Sequence, residues 1–306
     1  MKNPLLSEIQ KDLHTIQDML RWTVSYFSSN NIYYGHGTDN PWDEALQLIL
    51  PTIYLPIDIP IEIRKANLTV SERQQIVKLA VRRVIERIPV AYITNKSWFC
   101  GYEFYVDERV LIPRSPIAEL IENRFLGLIS YNPQNILDMC TGSGCIAISC
   151  ANFFPEATID AVDISQDALN VARQNVIAHS LLHRIKLIRS NLFQELPLTN
   201  KYDLVIANPP YVDVEELKHL PKEYSYEPAI GFIAGSQGLE VVIQIINSVS
   251  AYLSENGILV CEVGNNMMNL IKRYPQLPFN WLALNNGGEG IFMLNRKQIA
   301  NFIKYL

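Results

Sequence analysis

Glycine is scarce in the first part of this 306-residue sequence. Of 14 glycines, only Gly35, Gly37, Gly101 and Gly127 precede residue 131. Loops that let a backbone approach a small ligand closely are therefore expected in the second part. The five cysteines, Cys100, Cys140, Cys145, Cys150 and Cys261, form no CxxC pair and have no histidine at ligand spacing. That argues against structural disulfides and against a metal site. No apolar run approaches the roughly 20 residues that span a bilayer. The richest stretch, Leu46–Ile59, is broken by Pro51 and Pro56. The first twenty residues alternate charged and apolar positions and lack a signal-peptide core. An excess of positive charge is also missing, with 26 Lys+Arg against 31 Asp+Glu and a net charge of −5. Nucleic-acid-binding domains are usually strongly basic. The expectation is a soluble, cytoplasmic protein with no membrane segment and no metal. At 48% hydrophobic residues, the chain has room for about two domains, each with its own core.

The first third reads as helical. Leu5, Ile9, Leu13, Ile16 and Leu20 fall at helical spacing and give one amphipathic face. Asn40 before Pro41 supplies an N-cap followed by proline at the first helical position. Thr69-Val-Ser-Glu72 has the form of a capping box, opening a helix to about Arg87 with Ile76, Leu79, Ala80 and Val84 buried. Residues 98–112 have strand composition and predict a β-hairpin, and Ser115-Pro116 starts a helix carrying Ile117, Leu120, Ile121 and Phe125.

After Tyr131 strands and helices alternate. Strands are predicted at Ile136–Met139, Thr158–Val162, Ile185–Ile188, Asp203–Ala207 and Ile258–Val263, with helices at Ile146–Phe154, about Asp167–His179 and Glu240–Leu253. Trp281–Leu284 and Gly290–Leu294 flank Asn-Asn-Gly-Gly and read as an antiparallel pair. This alternation implies an α/β fold with a doubly wound, mostly parallel sheet and helices on both faces. The expected organisation is a helical substrate-recognition domain at 1–95, a β-hairpin and connecting helix at 96–130, and a cofactor-binding domain at 131–306.

The strongest local signal is Leu137-Asp138-Met139-Cys140-Thr141-Gly142-Ser143-Gly144, a strand entering a glycine-rich turn that opens a helix. Gly142 and Gly144 permit close approach of a ligand to the backbone. Asp163, at the end of the next strand, is placed to accept hydrogen bonds from ribose hydroxyls. Gly142-x-Gly144-x-x-Ala147 also fits the dinucleotide fingerprint, so a nicotinamide-dependent dehydrogenase competes. Asp138 within the first strand favours S-adenosylmethionine, because this pattern resembles the first motif of class I methyltransferases.

Asn208-Pro209-Pro210-Tyr211 directly follows a strand, at the carboxyl edge where doubly wound sheets bind ligands. An amide nitrogen is a poor nucleophile because its lone pair is delocalised into the carbonyl. A site that accepts hydrogen bonds from both amide hydrogens aligns that nitrogen and stabilises positive charge developing on it. The side-chain oxygen of Asn208 and the carbonyl of Pro209 are the candidate acceptors. The prolines fix φ and lack an N–H, and Tyr211 can stack on the planar group.

This N-P-P-Y motif resembles amino-methyltransferases that act on glutamine or asparagine amides or on the exocyclic amine of adenine. Val110-Leu-Ile-Pro-Arg114 with Glu119, Tyr226-Glu-Pro-Ala229 and Gly235-x-x-Gly238-Leu239 resemble the protein glutamine methyltransferases. Gln17–Trp22, Tyr34–Ala45, Arg87–Tyr92 and Trp98–Gly101 are similar to the branch acting on the third protein of the large ribosomal subunit, more than to the branch acting on peptide-chain release factors. The resemblance covers nearly the whole chain. It implies a class I methyltransferase-like fold, a large-subunit ribosomal protein substrate and S-adenosyl-L-methionine as cofactor. The cofactor would lie against Asp138, Cys140–Gly144, Asp163 and the segment with Asn191 and Leu192, near Asn208. The family usually has an acidic residue where this chain has Asn191, and some relatives have Trp where it has Leu192. An adenine methyltransferase and a noncatalytic S-adenosylmethionine-binding module remain alternatives at this point.

Residues 64–87 hold seven basic residues, Arg64, Lys65, Arg73, Lys78, Arg82, Arg83 and Arg87, against Glu72 and Glu86. They form a candidate contact surface for ribosomal RNA, or else a solvated helix face. The histidines have no catalytic spacing; His36, between two glycines, is the one with a candidate substrate role.

Overall fold

The structure, a computed structural model, describes residue 9 and residues 11–213, 216, 219–235 and 238–304. Leu5 lies outside the described residues. The chain divides into two compact units. One comprises the described residues up to Ser97 with 106–108 and 221–226, and the other takes Trp98–Tyr105, 109–220 and 227 onwards.

The first unit is helical: α1 (Ile16–Ser29), α2 (Pro41–Thr52), α3 (Val70–Glu86) and the short α4 (Val90–Thr94). Asn40 caps α2 by accepting from the N–H groups of Trp42 and Asp43, and Thr69 with Glu72 forms the expected capping box on α3. Met19, Leu20, Phe27, Leu48, Ile49, Ile76 and Ala80 meet in one buried cluster. The apolar spacing through Leu13 and Ile16 predicted one continuous helical face, but α1 starts afresh after Thr15. Thr15 and Asp18 form a capping box there, and the carbonyl of His14 accepts from Leu68 N–H at 2.7 Å. A cap overrides periodicity because it supplies partners to backbone groups that a helix start leaves unpaired.

The basic segment differs from expectation. Arg83 is 1% exposed. It donates to Glu44 at 2.5 Å, to Glu223 at 3.2 Å and to the carbonyl of Tyr33 at 2.7 Å. Arg73 is also buried and donates to the carbonyl of Leu13, and Arg87 donates to the carbonyls of Asn30 and Asn31. Arg64 lies over the Trp42 ring at 6.0 Å, so four of the seven cations serve the fold of this unit, and an external contact is left to Lys65, Lys78 and Arg82. Burial pushes the Glu223 carboxyl up, but the Tyr33 N–H, its own N–H and Arg83 outweigh that and hold it below its ordinary value.

The hairpin strands β1 (Lys96–Phe99) and β2 (Tyr102–Tyr105) turn at Cys100 and Gly101, both at positive φ, the geometry that matches strand twist in a two-residue hairpin. Residues 106–112, predicted as strand, are not one. The Ile112 N–H goes to the carboxylate of Glu227 at 2.8 Å instead of to a ladder. Helix α5 (Ile117–Glu122) follows, shorter than expected, and Glu119 accepts from the N–H groups of Asn285 and Asn286.

The second unit is built on β3 (Asn135–Met139), α6 (Cys145–Phe153), β4 (Thr158–Asp163), α7 (Gln166–Ala178), β5 (Ile185–Arg189), β6 (Tyr202–Ala207), α8 (Glu240–Val249), β7 (Leu253–Glu262), α9 (Met267–Arg273), β8 (Asn280–Trp281), β9 (Ile291–Asn295) and α10 (Arg296–Ile303). The seven strands run in the order β5-β4-β3-β6-β7-β9-β8. Strands β5 to β7 pair in parallel, and β9 is antiparallel to both β7 and β8. This is the expected mostly parallel class I methyltransferase-like sheet with its antiparallel C-terminal strand. Side chains alternate across it: Leu137, Met139, Val205 and Leu259 join Val242, Ile245, Ile246 and Val249 of α8 on one face. Ile136, Ile159, Ile206 and Val260 join Ile146, Ala147 and Ala151 of α6 on the other. Each fully buried aliphatic side chain contributes roughly 1.5–3 kcal/mol. The predicted helix to Leu253 ends at Val249 and β7 begins earlier than expected. Its register against β6 shifts between Tyr202 and Leu204, where a Cβ on Gly257 would lie 2.6 Å from the carbonyl of Tyr202.

Removing the cation from between Glu44 and Glu223 leaves the buried Glu44 carboxylate without a cation and Glu223 with Arg87 alone, at 3.5 Å. Arg83→Met is expected to lower the stability of the helical unit by about 3–5 kcal/mol in urea unfolding followed by circular dichroism. A loss under about 1 kcal/mol would contradict this account.

Candidate active site

Four adjacent strands of the second unit end at one level. Met139 pairs with Val162 on one side and with Ala207 on the other, and Ala207 pairs with Cys261. The residues one step further along are Asp163, Cys140, Asn208 and Glu262. With neighbouring strands about 4.8 Å apart, this row of four is roughly 14 Å long, at the edge where such sheets bind ligands.

The glycine loop is organised from beneath by Asp138. This residue is fully buried, and one carboxylate oxygen accepts from the Thr141 hydroxyl at 2.5 Å and from Ala147 N–H at 3.1 Å. Its other oxygen is buried with no hydrogen-bond partner among the described residues. Burial pushes the Asp138 carboxyl up to about 7, against the opposing pull of Thr141 and Ala147. Cys140 sits at φ 63°, a left-handed conformation. Burial raises its thiol well above the ordinary range, so it stays protonated. Thr141 N–H reaches the carbonyl of Val162 at 2.9 Å. The two loop glycines have different jobs. Gly142, at φ 55°, has no atom within 4 Å of where a Cβ would stand, so the loop offers bare backbone on that side. Gly144, at φ 81°, lies against helix α7, where a Cβ would come 3.3 Å from the Cβ of Ala172. Ser143 is buried, and its carbonyl accepts from Asn175 at 2.8 Å.

Asp163 links the loop to its neighbour. Its carboxylate accepts from Gly142 N–H and Ser165 N–H, each at 2.9 Å, and its carbonyl accepts from Ser190 N–H at 3.0 Å. Burial raises its carboxyl above the ordinary value, and the N–H groups of Ser165 and Gly142 oppose that. The Ser190 hydroxyl donates to the carbonyl of Leu192 at 2.8 Å, which holds Leu192 at φ 51°. Asn191 is exposed and Leu192 half-buried.

Asn208 is half-buried and Pro209 is buried. Tyr211 is fixed on several sides. Its hydroxyl donates to Glu262 at 2.8 Å, and its carbonyl accepts from the Asn266 side chain. A Cβ on Gly264 would come 2.7 Å from its ring. Val212 N–H then donates to the carbonyl of Phe232 at 2.8 Å, so the chain beyond the motif lies beside residues 232–234. Arg114 and Glu227, from two of the motifs noted in the sequence, form a two-pronged ion pair at 2.6 and 2.8 Å.

The structure thus brings Cys140, Gly142, Asp163 and Asn208 to one edge, with Leu192 and Asn191 on the turn tied to Asp163. Asp138, Ser143 and Gly144 act from within, on the loop's shape. Asn175, Glu262 and Asn266 went unnoticed in the sequence, and Ser115 was read there only as a helix start. A buried asparagine in mid-helix is a weak signal, since asparagine is a poor helix former, and the others carry no local signal. Among the described residues, no group of three or more His, Cys, Asp or Glu side chains could hold a metal.

A carboxyl raised in the folded state from 3.8 to about 7 stabilises the fold fully below pH 4 and loses that contribution as pH rises through 7. Relative to Asp138→Asn, the native chain is therefore expected to lose stability between pH 4 and 7, approaching roughly 1.4 kcal/mol per pH unit. Parallel urea titrations across that range measure it, and a constant difference would refute the raised value.

Comparison with known proteins completes this picture. Residues 123–221 match the family model described as "Methyltransferase small domain". The chain is 43% identical to the ribosomal protein uL3 glutamine methyltransferase of Francisella tularensis, over 96% of this chain and 94% of the relative. It is also 43% identical to the protein of the same name from Neisseria meningitidis serogroup A, over 98% of this chain and 99% of the relative. Identity at this level over almost all of both chains sets aside the nicotinamide and adenine alternatives. The chain belongs to the ribosomal protein uL3 glutamine methyltransferases.

Proposed function

We propose that this chain transfers a methyl group from S-adenosylmethionine to the side-chain amide nitrogen of a glutamine in the large-subunit ribosomal protein uL3. The observation that carries the reading is the row at the sheet edge, where the glycine loop and Asn208 follow paired residues of adjacent strands. The residues present fit the cofactor. Gly142 exposes bare backbone, and the Asp163 carboxylate, with two N–H partners, keeps further lone pairs for ribose hydroxyls. Asn191 offers an amide oxygen and Leu192 an aliphatic wall for an adenine. When bound, S-adenosylmethionine supplies a methyl group on a positively charged sulfur.

The rest of the reaction falls to the chain. Asn208 accepts one hydrogen of the target amide through its side-chain oxygen, and the carbonyl of Pro209 accepts the other. The two acceptors orient the nitrogen and favour the positive charge that develops on it. Pro209 and Pro210 keep these acceptors in a stiff frame, and Tyr211 supplies an aromatic surface for the planar amide. A strong base is not required, because the nitrogen sheds its proton readily once it is methylated.

We assign substrate recognition to the helical segment 1–95, linkage to the hairpin and helix at 96–130, and methyl transfer to 131–306. The exposed Lys65 and Lys78, with the half-exposed Arg82 that also pairs with Glu86 at 3.3 Å, provide a surface for ribosomal RNA attached to the protein substrate.

Asn208→Ala is expected to lower methyl transfer by about 100- to 1000-fold, while cofactor affinity measured by calorimetry stays within about threefold, less than 1 kcal/mol. Retained activity would overturn the assignment. Charge reversal at Lys65, Lys78 and Arg82 should raise KM for RNA-associated substrate and flatten its salt dependence. Kinetics that do not change would remove the RNA contact.

A further inference from the structure

Glu262 is the last residue of β7 and stands one position past the Cys261–Ala207 pair, beside the start of the N-P-P-Y segment. It is 4% exposed, and both of its oxygens are engaged. One accepts from the Tyr211 phenol at 2.8 Å, and the other accepts from the Ser115 hydroxyl at 2.5 Å. Ser115 is itself buried and its oxygen also accepts from Ile117 N–H at 3.2 Å, so the carboxylate is anchored to the start of α5.

We propose that Glu262 is a positioning residue for methyl transfer, setting the orientation of the Tyr211 ring through the phenol and being held in place by Ser115. The reasoning rests on the proposed role of Tyr211 against the target amide. The two prolines fix the backbone of the motif, but they leave the Tyr211 side chain free to rotate about its own bonds. An aromatic ring orients a planar amide only if its own plane is fixed. The carboxylate fixes it from the phenol end, and the close approach of Gly264 fixes it from one face. Because the phenolic O–H donates to Glu262, the Tyr211 oxygen keeps only acceptor capacity towards anything else. Hydrogen bonds to a carboxylate are among the stronger ones, and a buried carboxylate that loses its donors is costly. Geometry at this point is therefore held more stiffly than the loop alone could hold it.

A double-mutant cycle tests the proposal. Glu262→Ala and Tyr211→Phe are each expected to lower kcat by about 10- to 100-fold, with cofactor affinity changed less than about threefold. In the Tyr211→Phe background, Glu262→Ala should cost less than about twofold more, since the bond through which it acts is already gone. Glu262→Gln retains an acceptor for the phenol and should recover part of the loss. Independent multiplicative losses in the double variant would overturn the proposal, as would an equal loss in Glu262→Gln and Glu262→Ala. A second readout does not depend on the reaction. With tyrosine labelled by carbon-13 at Cζ, the Tyr211 resonance, identified by its absence in Tyr211→Phe, should shift in Glu262→Ala. An unmoved resonance overturns the proposal even if activity falls. A shifted resonance in a protein that methylates no glutamine would leave the hydrogen bond standing and reject the functional reading instead.

Discussion

The parallel register of four neighbouring strands is the constraint on which the rest depends. Met139, Val162, Ala207 and Cys261 are paired across β4, β3, β6 and β7. The chain segments that follow must therefore leave the sheet side by side. Alternating apolar side chains enforce that register, because a slip of one residue would turn the core faces of Leu137 and Ile136 inside out. Hydrophobic burial on both sides of the sheet thereby fixes where the glycine loop and the N-P-P-Y segment meet. Neither segment has to find the other.

Above that edge the structure departs from what is easiest to fold. Asp138 is an acid buried within an apolar sheet, Cys140 and Leu192 adopt left-handed backbone conformations, and Glu262 is a carboxylate with hardly any exposure. Each is unfavourable in isolation. The two carboxylates are tied by short hydrogen bonds to elements that the cores on either face keep in place. Departures from local preference gathered at one edge, on a framework otherwise made of regular strands and helices, are the usual arrangement of a site whose geometry matters more than its stability.

The parts of this fold that could be read from the sequence are those with local causes. Asn40 before Pro41, the Thr69–Glu72 box, the strand-turn-helix around Gly142 and the N-P-P-Y motif after a strand each depend on residues a few positions apart. Thr15 was missed because apolar spacing continues through it, although a cap resets the helix there. Arg83 looked like one more cation on a basic helix, since nothing nearby signals that Glu44 and Glu223 enclose it. Glu223 lies 140 residues away. Ser115 and Glu262 are separated by 147, and their carboxylate–hydroxyl bond has no trace in either local sequence. The distinct duties of Gly142 and Gly144 were also hidden, because the presence of Ala172 opposite one of them is a tertiary fact.

The site at this sheet edge is assigned the methylation of a glutamine side chain of uL3. Its most direct test is incubation of the purified chain with isotopically labelled S-adenosylmethionine and ribosomal protein uL3 from cells lacking the methylation, followed by mass mapping of the product. The account predicts one methyl group on the side-chain amide nitrogen of a glutamine in that protein. Label on another residue type, on ribosomal RNA, or nowhere at all would contradict it.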